Sequence, residues 1–431
     1  MASMIGHYRL VFASCLLSTL SPGVAMAHAD ANYDEARVPA YVLPDALTMA
    51  SGQPVKDAAT WQRQRRPELL RFFEENVYGK GPGRPDGMRF EPTEVDPKAL
   101  GGRATRKQVR ILLTGKAQGP SIDLLLYLPS KRTGKSPVFV GLNFRANHTV
   151  HADPAIRLSG RWIAKSEGAP DHRAVDAARG SDAASWPIET ILARGYAVAT
   201  AYYGDLEPDH PEGWKDGVRS AFGPGAKGAF APGDWGAIGA WAFGLRRIVD
   251  YLETDPDVDA KRIALWGHSR LGKAALWAGA QDERFALVVS NESGEGGAAL
   301  ARRRFGETVA FITKAFPHWF AGRFKEFAER EDQLPVDQHL LLALIAPRPL
   351  YVASALEDLW ADPRGEFLSA RAADPVWRLL GREGLAATEV PEVDRSVGKT
   401  IGYHVRRGKH GVTAFDWEQY LAFADRHLVG R

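Results

Sequence analysis

The chain has 431 residues and a formal net charge of +3, so no broad basic field calls for nucleic acid as a partner. Its one cysteine, Cys15, excludes a disulfide framework and a cysteine metal site. Hydrophobic residues make up 45% of the chain, enough for a sizeable core in one large α/β unit or in two or three smaller ones.

Arg9 precedes an apolar run, Leu10 to Leu20, and Ala25-Met26-Ala27 follows as a small-x-small cleavage site. Residues 1–27 therefore read as a signal peptide, too short to span a bilayer and carrying Cys15 with it. The expectation is an exported protein, periplasmic or secreted, of residues 28–431, with no later stretch apolar enough to enter a membrane. Residues 28–57 read as an extended strap. Trp61 to Tyr78 has helical spacing, with Leu69, Leu70, Phe72, Phe73 and Val77 on or near one face and Pro67 marking where the regular helix starts. Gln108–Leu113 and Ile122–Leu128 read as an antiparallel pair of strands.

From Val138 onward the pattern changes. Buried-strand runs at 138–143, 196–201, 262–266, 286–290 and 350–354 alternate with helical stretches at 188–194, 238–252, 271–278 and 417–428. Such alternation predicts a mostly parallel sheet built by right-handed crossovers. Two polar, Gly- and Asp-rich stretches, 146–187 and 204–236, read as long loop insertions. With no repeat and no linker, residues 28–431 read as a single α/β domain.

The chemistry is concentrated at 262–276. An apolar run stops at Gly267, Ser269 follows, and helical spacing begins at Leu271. A strand, a sharp turn and a helix with serine at the apex would hold the hydroxyl clear of its backbone and aim unpaired N–H groups at the atom it attacks. Such a serine needs a base, and the base needs an orienting acid. His410 follows a strand-like stretch, 403–406, and so lies on a loop at a strand's carboxyl end, the edge where ligands gather in open sheets. Two acids compete: Glu292, after the strand at 286–290, and Asp358, after that at 350–354. Either could orient His410, and both stay open. Arg270, directly after the serine, could serve an oxyanion, and Lys273, one helical turn on, a sugar hydroxyl or carboxylate. His148, His151, His210, His318, His339 and His404 lack metal-ligand spacing, so no metal is expected.

Gly-His-Ser-Arg-Leu-Gly-Lys (267–273) resembles the Gly-x-Ser-Arg-x-Gly-Lys motif of the glucuronoyl esterases, carbohydrate esterase family 15. The likeness extends through 290–297, 334–339, 346–349, Trp360, Lys409-His410-Gly411, 143–148 and the helix at 61–68. It implies an α/β-hydrolase fold, a central sheet flanked by helices in three layers, with no cofactor. By the same resemblance Ser269 is the nucleophile, His410 the base and Arg270 an oxyanion stabiliser. Lys273, Glu307 and Trp360 fall where the family contacts the glucuronoyl ring. Family members carry the triad acid at either the Glu292 or the Asp358 position, and this chain has both. His268 stands where similar fungal members have cysteine. The implied activity is hydrolysis of esters between (4-O-methyl-)glucuronic acid of glucuronoxylan and lignin alcohols, with lignin–carbohydrate esters as partners, by a monomer without nucleic acid or membrane. The insertions would shape a cleft for a larger glycan or lignin fragment. The rival readings are an acetylxylan or feruloyl-type esterase, a peptidase on the same fold, and an inactive glycan-binding homologue.

Overall fold

The computed structural model describes residues 31–223 and 230–430; the expected signal segment, with Cys15, lies outside them. Asp57 caps a helical stretch by accepting the N–H of Thr60 at 2.8 Å, and its regular part, α1, is Arg66–Phe73 with proline in its first turn. Leu69, Phe73 and Val77 share its buried face. Wider turns precede and follow α1, and Gly79, at φ +78°, ends the run where a Cβ would lie 2.3 Å from the Trp235 backbone.

The strands are β1 (Arg89–Lys98), β2 (Ala104–Leu112), β3 (Ser121–Pro129), β4 (Ser136–Asn143), β5 (Ala197–Tyr202), β6 (Val258–His268), β7 (Phe285–Asn291), β8 (Leu350–Ala355), β9 (Val397–Gly398) and β10 (Ile401–Arg406). They form one sheet in the order β1-β2-β3-β5-β4-β6-β7-β8-β10-β9. The six strands from β5 to β10 in that order are parallel; β1, β2, β3 and β9 run antiparallel at the two ends. The predicted antiparallel pair is β2–β3, with β1 added outside it.

Helices cover both faces because the parallel strands are apolar on both sides. Val138, Val140, Ile263 and Leu265 pack against α1, α3 (Ala237–Leu252), α4 (Arg270–Gln281), α5 (Gln338–Ala343) and α6 (Pro363–Leu379). The alternate residues Phe139, Ala264 and Trp266 pack against α2 (Ile188–Ala193) and α7 (Ala414–Ala424). The result is the three-layer α/β-hydrolase arrangement. Among the described residues no helix is long and apolar enough to cross a membrane. The insertions are mostly turns and short helices, yet they reach into the interior: Ile156, Ile163, Trp186, Leu206 and Val218 are buried.

Register decides what meets at the sheet's carboxyl edge. His268 pairs with Asn291, Asn291 with Ala353, and Ala353 with His404, so one row crosses four strands. Ser269, Glu292, Asp358 and His410 all lie just beyond that row. The turn at Ser269 depends on Gly267, where a Cβ would sit 2.2 Å from the Leu271 carbonyl oxygen and 2.9 Å from Ala275 Cβ. Gly267→Ala should therefore push α4 off the strand, costing about 1–3 kcal/mol and lowering Tm in thermal unfolding; an unchanged Tm would show that the turn tolerates a side chain there.

Candidate active site

Ser269 has φ 55° and ψ −131°, an unfavourable conformation for a residue with a Cβ. It persists because both neighbouring segments fix it. Its N–H donates to the Asn291 carbonyl at 2.9 Å, and its own carbonyl accepts from Gly272 and Lys273 at 2.8 and 3.2 Å. The N–H groups of Arg270 and Leu271 precede these first helical bonds, as the leading donors of any helix do. A partly exposed hydroxyl thus stands at the start of α4, beside amide donors suited to an oxyanion.

His410 lies on the loop after β10. Its Nδ1 is 2.6 Å from Asp358 Oδ2 and 3.2 Å from Glu292 Oε2, so both sequence candidates converge on one nitrogen. Between two carboxylates that nitrogen carries the proton, which leaves Nε2 as the basic position. Burial opposes the charged imidazole, but the hydrogen bonds and charges of Asp358 and Glu292 outweigh it and raise His410 above its ordinary range. Burial in turn raises Glu292, opposed by His410 and Arg406.

The two acids are held differently. Glu292 is fully buried at φ 46°. Its Oε1 accepts from Arg406 Nη2 at 2.5 Å and its Oε2 from the Gly411 N–H at 2.8 Å. Asp358 rides on a loop zipped to the histidine loop, with Leu356 N–H on Arg406 O at 2.8 Å and Glu357 N–H on Gly408 O at 3.0 Å. Arg406 ties these parts together: it also donates to the carbonyls of Lys409 and Gly411 at 3.1 and 2.7 Å and to Asp416 Oδ2 at 2.8 Å. Asp416 closes the capping box of α7 with Thr413.

No hydrogen bond joins Ser269 Oγ to His410 among the described residues. They are brought near through His268, whose ring centre is 4.6 Å from that of His410. Such a contact is often long before substrate binds. His268 Nδ1 accepts from Asn291 Nδ2 at 3.0 Å, and burial with the neighbouring His410 holds it well below its ordinary range. It is a neutral packing partner of the base. His268, Glu292 and His410 do place ligand-type atoms within 4.8 Å of one another. The same three side chains make the amide, guanidinium and carboxylate contacts just described.

Arg270 pairs with Asp209, a residue not singled out in the sequence. Its guanidinium lies among aromatic rings, 4.9 Å from the centre of Trp319, 5.7 Å from Phe316 and 5.8 Å from Phe144. Lys273 is buried, and Nζ donates to the carbonyls of Ser293 and Glu295, both at 2.6 Å, and meets Glu307 Oε2 at 3.5 Å. The Glu307 N–H donates to the Trp360 carbonyl at 2.9 Å. Lys273, Glu307 and Trp360 thus form one connected group. Arg406 and Asp209 escaped the sequence reading; the only local signal was a cation closing a buried strand immediately before the histidine loop.

A sequence profile described as glucuronyl esterase, fungi, matches residues 230–381. A carbohydrate esterase from an unknown prokaryotic organism is 49% identical over 403 residues, 93% of this chain and 92% of that protein. The solved glucuronoyl esterase of Solibacter usitatus is 50% identical with a TM-score of 0.87, over 91% of this chain and 99% of that one. A structure described as a promiscuous esterase of the same carbohydrate esterase family, from a marine bacterial metagenome, is 50% identical with a TM-score of 0.86, over 92% and 99%.

Asp358→Asn removes one of the negative neighbours that favour the imidazolium. A general base works when neutral, so the acid limb of kcat/KM should move to lower pH by roughly one unit. In the same variant kcat should fall, because the Nδ1 proton loses its nearer anionic acceptor. The pH profiles of wild type and variant check this; a limb that stays in place or moves upward contradicts the shared arrangement.

Proposed function

The chain belongs to the glucuronoyl esterases of carbohydrate esterase family 15, and from that membership we propose that it cleaves esters of (4-O-methyl-)glucuronic acid with Ser269 as nucleophile. It is a carbohydrate esterase, a hydrolase by class. The observation that carries the residue assignment is His410 Nδ1 held 2.6 Å from Asp358 and 3.2 Å from Glu292, beside a serine on a strained strand-to-helix turn.

Ser269 Oγ attacks the C6 carbonyl carbon of the uronate ester while His410 Nε2 takes its proton. The resulting oxyanion is met by the leading N–H groups of α4 and by Arg270. Collapse breaks the bond to the alcohol oxygen, which receives the proton from His410, and a glucuronoyl-serine remains. Water, giving a proton to the same nitrogen, attacks that ester; the uronic acid leaves and the proton returns to Ser269. In a uronate ester the sugar ring is attached directly to the acyl carbon, so ring contacts must lie close to the nucleophile. The group Lys273–Glu307–Trp360, one helical turn along α4, supports that placing. The substrates are glucuronoxylan and its esters to lignin alcohols, the enzyme acts as a monomer, and the signal-peptide pattern of residues 1–27 supports export to the periplasm or the medium.

The marine relative described as promiscuous favours a second reading, in which acetate-type esters are also turned over. The test is hydrolysis of benzyl glucuronate, methyl glucuronate and 4-nitrophenyl acetate by the enzyme and by Ser269→Ala. Glucuronate esters should be cleaved, and the variant should lose on the order of 10⁴–10⁶-fold in kcat. Turnover of the acetate beside the glucuronates would support the second reading, turnover of the acetate alone would move the assignment to an acetylxylan-type esterase, and activity surviving in the variant would remove Ser269 as nucleophile.

A further inference from the structure

We propose that Asp209, supplied by the 204–236 insertion, is the positioning residue that fixes and charge-balances Arg270, so that this cation serves the transient oxyanion rather than the product carboxylate. The proposal rests on the reading of Arg270 as an oxyanion stabiliser.

Asp209 is built into its place. Its Oδ2 accepts from Arg270 Nη1. Its Oδ1 accepts from Trp319 Nε1 at 2.6 Å and pairs with His318 Nε2 at 2.8 Å. The carboxylate side chain is 4% exposed. Burial alone would raise its pKa, yet Arg270, His318 and Trp319 hold it well below the usual carboxylate range. The backbone that presents it is anchored: Glu207, two residues earlier, accepts from Arg219 Nε at 2.7 Å and Nη2 at 2.5 Å. The Glu207 carbonyl accepts from Trp241 Nε1 of α3 at 3.0 Å.

One carboxylate therefore joins three segments, the insertion, residues 318–319 and the first turn of α4. Arg270 spends Nη1 on it, while its buried Nε has no hydrogen-bond partner among the described residues. A guanidinium has five donors in a fixed plane, so anchoring one corner orients the others. An unanchored arginine would reach the oxyanion only part of the time and would lose entropy in doing so.

Charge is the second half of the argument. Ester hydrolysis turns a neutral acyl group into an anion. A site with an uncompensated cation beside the acyl carbon would hold that anion and slow its release. Asp209 neutralises Arg270, as Glu307 lies against Lys273.

The test compares Asp209→Asn, Arg270→Ala and the double variant, using methyl glucuronate as substrate and glucuronate as inhibitor. Asp209→Asn should lower kcat on the order of tenfold or more, a fraction of what losing an oxyanion donor costs, with KM little changed. It should also tighten the Ki of glucuronate about tenfold, which a merely structural lesion would not do. Neither effect should appear when Asp209→Asn is added to Arg270→Ala. Equal losses in both backgrounds, or an unchanged Ki, would overturn the proposal. Asp209→Glu, which keeps the charge, should restore the wild-type Ki, and failure of that rescue would count against it. If Arg270→Ala alone leaves kcat intact, the oxyanion reading falls and the positioning role with it, while the Ki of Asp209→Asn still reports on charge balance separately.

Discussion

One imidazole nitrogen is faced by two carboxylates, and the arrangement of the sheet's carboxyl edge follows from keeping all three groups in place. A proton on His410 Nδ1 satisfies both acids, fixes the tautomer and leaves Nε2 to act as base. The cost is electrostatic, since two carboxylates converging on one donor repel each other. Arg406 offsets it by binding Glu292 and the histidine loop together, and Asp416 anchors Arg406 from the far side. Glu292 is thereby a buried, fully bonded carboxyl group, while Asp358 sits on a loop tied to that of His410 by two backbone hydrogen bonds. The nearer distance falls to the acid whose loop travels with the histidine.

The same rule runs through the rest of the site. Each cation near the serine, the buried Lys273 and Arg406 and the partly buried Arg270, carries its own anion: Asp209 for Arg270, Glu307 for Lys273, Glu292 and Asp416 for Arg406. Burying a charge without a partner costs far more than these pairs do, so the site can hold three cations without a large net field. Arg270 is further packed by aromatic rings, which suit a planar, weakly hydrated guanidinium.

Much of this was readable in the chain. The parallel strands announced themselves as apolar runs because both of their faces are buried, and Ser269, Glu292, Asp358 and His410 were found by position, each just past such a run. β1 was missed because Arg89–Lys98 is an edge strand, mostly polar and interrupted by Pro92 and Pro97. α6 was missed because Pro375 lies inside it and its buried face includes Glu366, Ser369 and Asp374. The charged supports were illegible for a different reason: Asp209 meets Arg270 across 61 positions and Arg406 meets Glu292 across 114, and no local pattern encodes such a pairing. Glu292 and Asp358, two candidates for one role in the sequence, both lie against the same His410 nitrogen, at 3.2 and 2.6 Å, a convergence that no local pattern encodes.

The most direct measurement is kcat for four enzymes, the wild type, Glu292→Gln, Asp358→Asn and the double variant, each shown to fold by its Tm. If both carboxylates serve His410, each single variant keeps activity within about 10²-fold of wild type. The double variant then drops on the order of 10⁴-fold, the loss seen when a triad histidine has no anion to orient it, and the joint loss matches or exceeds the product of the single ones. One single variant as inactive as the double, with the other indistinguishable from wild type, would show that only one acid works and would contradict the shared nitrogen.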